Sequence, residues 1–435
     1  MRITAEQAAA RVRAGLGREP QDALEASVVL EAWGGLTART ALPLATSVAA
    51  NRRPGQDERS SRRARGDVSE ESTREVLGLI ATLLATTLWV APLAQAFGTD
   101  RTAQAWQLAL PVSLGLQWFL RRRYLTDPHG LGRMRADRPV VLGAGAFSAA
   151  TTLGMVADPA LVLPAALVVT WVGGLLVVVR GWGVPYAVAL LAATGALQLG
   201  VPVRLDVLLV LVLTQLAVGF ALVTSAVSTR PPTSWPRSLA AGLIGGTTAL
   251  LIVFDPTVEW SSWRPFPVVA LIPSLLGTVW ASRHLNRIWT VLLDALASTH
   301  FGDRRSSRRS RRVFGGIIAG AFGRLVLMTA VVSVGVFLLV QPGATSGSSV
   351  VLLLLGLGCF GIVSFLAALL ESFSRLLSAG AVVAVAVLVS LATVAGLLPW
   401  PGPPLLAAAV AALVAAVVPV GRLVSQPDRT LATMF

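Results

Sequence analysis

From Val76 to Val424 the chain is written in long apolar stretches, broken only by short polar or Gly/Pro-rich turns. A hydrocarbon core roughly 30 Å thick takes about 20 apolar helical residues to cross, and soluble helices do not repeat at that length. The pattern predicts about twelve spanning helices, at 76–97, 103–120, 139–157, 160–179, 183–201, 206–228, 238–255, 265–282, 313–340, 349–371, 377–399 and 404–424. Asp158-Pro159, Arg180-Gly181-Trp182-Gly183 and Trp400-Pro401-Gly402-Pro403-Pro404 supply the turns. The fold class is an all-α polytopic membrane protein.

The first 75 residues follow another pattern. Thr4 with Gln7 forms a capping box opening a helix through Leu16. Residues 20–33 read as a second helix, closed by Gly34-Gly35. Leu24, Val28 and Leu36 approximate an apolar stripe, which suits docking of residues 1–50 on the membrane body or a protein partner, or a plain solubilised extension. Asn51 to Glu75 is an arginine-rich, charged linker expected to be disordered. The organisation is therefore 1–75 as a cytoplasmic extension, 76–228 and 238–424 as two six-helix bundles, and 425–435 as a tail.

Composition agrees with the pattern, at 54% hydrophobic and 13% charged residues with a mean hydropathy of +0.71. All 36 basic residues are arginine, which with abundant Ala, Val, Leu and Gly suggests a GC-rich genome and a bacterial inner membrane. The net charge of +14 would suit a nucleic-acid binder, but the arginines sit between spans rather than on one soluble face. With the N-terminus cytoplasmic, the inner segments hold 32 of them and the outer loops only Arg101, Arg204 and Arg264. That asymmetry satisfies the positive-inside rule and places both termini in the cytoplasm. The two long basic loops, after the second and eighth spans, are six spans apart, which suggests a parallel repeat of two bundles.

Few groups could carry chemistry. Asp100, Asp158, Asp206, Asp255 and Glu259 fall at outer boundaries and Glu371 at an inner one, where solvation or pairing with interfacial arginines is expected rather than proton relay at the midplane. Arg324 is the exception, lying well inside the ninth apolar run. A guanidinium there costs about 2.5–3.5 kcal/mol on insertion scales and faces protein or a watery cavity unless it snorkels to the headgroups; in a cavity it suits a phosphate or carboxylate. Gln117, Thr214 and Gln215 are mid-span polar groups suited either to sugar hydroxyls in a cavity or to bonding between helices. Arg121, Arg122 and Arg123 end the second span at the inner interface, and Arg308 and Arg309 lie in the basic cluster 304–312. Both groups suit anionic lipid headgroups, an acidic partner or simple topological anchoring. Trp260, Trp263 and Trp400 fit an aromatic belt.

His129, His284, His300 and the lone Cys359 have no metal-site spacing, and no P-loop is present. Neither a metal nor another cofactor is expected, no nucleic-acid partner, and no enzymatic constellation.

The second span running into Leu116-Gln-Trp-Phe-Leu-Arg-Arg-Arg-Tyr-Leu-Thr-Asp127, the basic segment following Ile272-Pro-Ser-Leu-Leu-Gly, and the 6 + 6 arrangement together resemble the superfamily of polysaccharide exporters, lipid-linked oligosaccharide flippases and multidrug extruders. Arg123-Tyr124-Leu125-Thr126-Asp127 is similar to the Pel exopolysaccharide transporter branch. The likeness covers residues 76–424 by topology and about 40 residues locally; residues 1–75 lie outside the family pattern. It implies alternating access around a central, often cationic cavity, in which Arg324 would serve. A major-facilitator reading expects a Gly-led Asp-Arg-x-Gly-Arg loop, of which Asp127-Pro-His-Gly-Leu-Gly-Arg133 is a distorted echo.

Three functions follow as expectations: a flippase-like exporter of a glycan, lipid-linked saccharide or other anionic amphiphile; another secondary exporter, such as a major-facilitator-like one; or a non-transporting scaffold or subunit of a biosynthetic or secretion complex. Membrane lipids are partners in each.

Overall fold

The computed structural model describes residues 4–16, 23–32, 36, 38–50, 89, 91–125, 130–225, 232–257, 274, 277, 285, 304–340, 347–373 and 375–425. These form helices and turns, with no strand among them. The chain divides into two compact units. One comprises residues 1–70 with 287–314, the other 71–286 with 315–435.

The smaller unit contains α1 (Ala5–Leu16), α2 (Ala23–Ala32) and α3 (Ala38–Ala50). The capping box forms as the sequence predicts: the Thr4 amide donates to Gln7 Oε1 at 3.2 Å, and the Gln7 amide to Thr4 Oγ1 at 3.4 Å. Of the predicted stripe, Leu36 packs on the core while Val28 is 56% exposed, and Ala26 and Leu30 are buried in its place. They pack with Ala8, Val12, Ala41, Ala45 and Val48 into a small core. Sequence reading missed α3, where Pro43 and two threonines lower helix propensity and tertiary packing overrides them.

The larger unit consists, over its described length, of helices joined by short turns. Its elements are α4 (Thr99–Leu120), α5 (Gly130–Ala136), α6 (Arg138–Ala157), α7 (Pro159–Val177), α8 (Gly183–Gln198) and α9 (Val203–Val223), then α10 (Trp235–Val253), α11 (Arg304–Val340, begun in the smaller unit), α12 (Gly347–Ser372), α13 (Leu376–Val394) and α14 (Pro404–Ser425). Among the described residues, eight helical runs are long and apolar enough to cross a bilayer. One of them, Pro159–Leu197, contains a reversal at Gly181, whose φ of 88° is open to glycine. Tyr186 Oη donates to the carbonyl of Thr170 at 3.3 Å, whereas a straight helix would hold residues 16 apart at about 24 Å. The run is thus two passes, α7 and α8, as the Arg180–Gly183 turn predicts. Ten of the twelve predicted spans have helical counterparts; 76–97 and 265–282 lie largely outside the described residues.

The basic segment from Arg304 to Arg312, predicted as loop, instead begins α11, which continues to Val340 without a break. The run lacks glycine and proline, and arginine is a good helix former.

Glycines set the closest helix approaches. A Cβ on Gly115 of α4 would lie 3.2 Å from the carbonyl oxygen of Gly242 on α10, and one on Gly242 would lie 3.1 Å from that of Gly115. Gly246, one turn on, comes as near to the Pro111 carbonyl. Gly242-x-x-x-Gly246 is therefore the small-residue seam by which membrane helices bring backbones into contact. Gly277 stands against the Gly361 carbonyl of α12, with no room for a side chain, and Gly356 of α12 against the Leu406 backbone of α14. Among the described spans α12 is the most enclosed, consistent with a membrane helix that is apolar on every side.

Candidate functional site

Arg324 lies in the middle of α11. At 1.5 Å per residue it is about 15 Å along the helix from Phe314, the first residue of the apolar window. The inward face of this helix carries Ile318, Ala321, Leu325, Thr329 and Val336, all buried. The Thr329 methyl fits against Gly358 of α12. Arg324 is on the opposite side and exposed. Its neighbours on that face are Gly316, Gly320 and Gly323, where an added Cβ would meet nothing, and Leu327 and Val331, 64% and 59% exposed. The guanidinium therefore projects away from the helix bundle.

The other mid-span groups are engaged between or within helices. Gln117 donates to Ser113 Oγ at 3.0 Å, one turn back on α4. Thr214 is fully buried; its hydroxyl donates to the Val210 carbonyl at 2.7 Å and meets Tyr186 Oη at 2.9 Å. Gln215 Nε2 donates to the Ser148 carbonyl at 3.1 Å and to Thr152 Oγ1 at 2.7 Å, tying α9 to α6. These are the bonds expected when amides and hydroxyls are placed between apolar helices.

At the end of α4, Arg121 to Leu125 form a π-helical turn that brings successive arginines to different partners. Arg121 is partly buried. Arg122 Nη1 lies 3.2 Å from Glu371 Oε1 at the end of α12. Arg123 is 4% exposed, and each guanidinium nitrogen has a partner. Nε donates to Tyr124 Oη (2.9 Å), Nη1 to the Thr233 carbonyl (2.8 Å) and Nη2 to Asp137 Oδ2 (2.6 Å). The Trp235 ring centroid lies 4.1 Å from its Cζ, a favourable cation–π position. Tyr124 Oη donates to the same Asp137 oxygen at 2.7 Å.

Burial alone would raise the Asp137 pKa, but hydrogen bonds from Arg123 and Tyr124 and the arginine charge hold it below the usual carboxylate value. Burial likewise opposes the charge on Arg123; the bonds to Asp137 and Tyr124 reverse this and raise its pKa. Burial and the bond to Asp137 push Tyr124 up to about 12. Arg122 and Arg123, expected to suit lipid, a partner or topological anchoring, thus form ion pairs within the chain. Arg308 and Arg309 lie in the first turns of α11.

Two acids expected at the surface are buried. Asp255 is 4% exposed; its Oδ2 accepts from the Leu405 amide at 2.7 Å and its Oδ1 from the Thr257 amide at 2.9 Å. It thereby satisfies a free N–H at the start of α14. Asp206 is wholly buried in the first turn of α9 and neither oxygen accepts a hydrogen bond. The indole of Trp89 lies beside it, its N–H a donor within reach of the carboxyl but outside good hydrogen-bond geometry. Position relative to the span end suggested exposure for Asp206; packing beside Trp89, a member of the buried cluster that also holds Val207, removes it from water.

A groove opens between α13 and α14. Arg375, Ser378 and Arg422 are at one end, with Ala381, Val382, Val385, Ala415, Val418 and Pro419 along its walls, around a volume of about 280 Å³. Arg375 and Arg422 are 47 positions apart in sequence, and no local motif connects them.

No protein-family model, curated protein or solved structure matches this chain.

Proposed function

We propose that this chain is a non-transporting membrane subunit or scaffold, which holds a second membrane protein against the outward face of α11. The observation that carries this reading is Arg324, exposed at mid-span on a face of small residues. A guanidinium in hydrocarbon costs about 2.5–3.5 kcal/mol, and a carboxylate on a neighbouring helix offsets that cost with a charge-assisted, bidentate pair. Gly316, Gly320 and Gly323 admit such a helix at close range. The occupant is therefore a transmembrane helix bearing Asp or Glu near mid-span. A second copy of this chain fits poorly: two-fold symmetry at this face sets arginine against arginine, and no described residue offers an exposed mid-span carboxylate. The arginine distribution supports a bacterial inner membrane, with both termini cytoplasmic, as the setting.

Photo-crosslinking from position 327 in native membranes tests this. The expected result is one discrete adduct with a membrane protein carrying a carboxylate in a span. It should be lost in Arg324→Glu and restored by an acid-to-Arg change in the partner. Adducts to lipid alone, or an adduct indifferent to Arg324→Glu, overturn the reading.

A second reading is the flippase-like exporter of a glycan, lipid-linked saccharide or other anionic amphiphile, working by alternating access. The paired arginines of the α13–α14 groove favour it. It requires Gln117, Thr214 and Gln215 to leave their present bonds and face water. Cysteines at these positions in a Cys359→Ala background, labelled by a membrane-impermeant thiol reagent, would support it; protection alongside labelled loop controls would oppose it.

A further inference from the structure

Glycines stand four apart on two of the described membrane helices, and only one of the two pairs is covered. On α10, Gly242 and Gly246 face the backbone of α4, where an added Cβ would lie 3.1 Å from the Gly115 carbonyl oxygen and 3.3 Å from that of Pro111. On α11, Gly316 and Gly320 have the same spacing, yet an added Cβ at either would meet nothing within 4 Å. Helix α11 also changes character at Arg324. From Gly316 up to the arginine its exposed residues are Gly316, Ala319, Gly320 and Gly323. Beyond it they are Val326, Leu327, Met328, Val331, Val334 and Leu338, with Ala330 the exception. The far half suits acyl chains. The near half does not, because glycine is the poorest helix former after proline and offers lipid no side chain to pack on. Small residues in a membrane helix serve where another backbone comes close, as α4 does at Gly242.

The spacing sets a direction as well. Residues four apart form one inclined row on a helix surface, and packing along such rows gives a steep crossing, about −50° in soluble proteins and about −40° at Gly-x-x-x-Gly pairs in membranes. Gly316, Gly320 and Arg324 occupy a single row of this kind. A helix that packs on the two glycines is thereby led to the arginine one turn on, about 6 Å along α11. Among the described residues no group pairs with Arg324.

We infer, on the reading above that α11 holds a partner helix, that the partner lies along the Gly316–Gly320–Arg324 row and touches α11 over that half alone. The partner carries two small residues four apart, with its Asp or Glu one turn from them, so that backbone contact and ion pair form at one crossing. From Gly320 to Leu338 is about 27 Å, over which axes crossing at about 40° separate sideways by about 18 Å. The far half is then left to lipid, in keeping with its valines and leucines.

Photo-crosslinkers placed singly at positions 327 and 338 of the full chain, in native membranes, provide the test. Position 327 should give an adduct to one membrane protein, and position 338 adducts to lipid alone. In G316L/G320L the protein adduct from 327 should fall by about tenfold or more, because two leucines hold the backbones apart. Gly335→Leu, at an open glycine of the far half, should leave it unchanged.

An adduct to the same protein from 338 overturns the close crossing. So does a 327 adduct that survives G316L/G320L while Arg324→Glu removes it; the ion pair then stands without the glycine contact. Absence of any protein adduct from 327 in the parent overturns the partner reading itself, and the crossing with it. The comparison of 327 with 338 needs no change at the glycines, so it decides even where G316L/G320L fails to insert.

Discussion

Arg123 and Asp137 close the end of α4 onto the start of α6, with Nη2 and Oδ2 2.6 Å apart and both side chains largely out of solvent. The same guanidinium reaches the Thr233 carbonyl, while the Thr233 amide donates back to the Arg123 carbonyl at 3.3 Å. One side chain thus ties together α4, α6 and the segment entering α10. Removing either partner leaves the other charge buried, which costs about 3–5 kcal/mol for pairs of this kind. Arg123→Ala and Asp137→Ala should each lower the melting temperature in detergent markedly. The double variant should lose clearly less than the two combined, because the stranded charge is gone. Additive losses would show that the pair is not coupled.

Tyr124 gives this cluster a signature at high pH. Its pKa is pushed up to about 12, against an ordinary value near 10. A phenol whose folded pKa is raised contributes stability that is complete below pH 10 and is lost as pH rises through about 12. The chain has only two tyrosines, so Tyr186→Phe leaves Tyr124 as the sole reporter of tyrosinate absorbance. Its titration midpoint should fall near 12 and move down in D137N/Y186F, though not back to 10, because burial, the larger cause, remains. A midpoint near 10 with Asp137 intact would contradict both the burial of Tyr124 and its hydrogen bond. Asp137 works in the opposite sense: its lowered pKa makes its contribution complete above the ordinary carboxylate range and lost as the solution is acidified below it.

The glycine seam between α4 and α10 allows a paired comparison. A side chain at Gly115 or Gly242 would have to displace backbone rather than a flexible neighbour, because the nearest atoms are carbonyl oxygens at 3.2 and 3.1 Å. Gly115→Val should therefore separate the helices and cost about 1–3 kcal/mol, the usual range for overpacking. Gly143 on α6 has open space where its Cβ would stand, so Gly143→Ala should be neutral or stabilising by about 0.5–1 kcal/mol. Thermal melting of the two variants in the same detergent is the measurement; a Gly115→Val protein as stable as the parent would mean that α4 and α10 do not touch at Gly242.

Much of this was legible in the sequence because hydrocarbon imposes length and composition directly. The capping box of Thr4 and Gln7, the reversal at Gly181 and the cap of Asp158, whose Oδ1 accepts from the amides of Ala160 and Leu161, are local and were readable from neighbouring residues. The partners of Arg122, Arg123 and Asp255 are not local: Glu371 is 249 positions from Arg122, and Leu405 is 150 from Asp255. A span reading assigns depth to a charge but not azimuth, which is why Arg324 could be expected in a cavity and yet stand on the outer face of α11. The α13–α14 groove depends on two helix ends meeting, so neither arginine alone carried a signal.

Asp206 shows the same limit and yields a test of its own. It is 0% exposed, its oxygens make no hydrogen bond of good geometry, and the Trp89 indole N–H is the donor beside it. A buried carboxyl with only one poorly placed donor opposes folding, since its desolvation is little offset by bonds made in the folded state. Its replacement by an apolar side chain of similar size is then favourable, as when buried polar groups give way to packed hydrophobic ones. Asp206→Leu should raise the melting temperature, by an amount corresponding to about 1–3 kcal/mol. Asp206→Asn, which keeps the polarity and still lacks partners, should gain less. If Asp206→Leu proves destabilising, the carboxyl has a full partner in the folded protein, and the Trp89 indole is the first donor to examine.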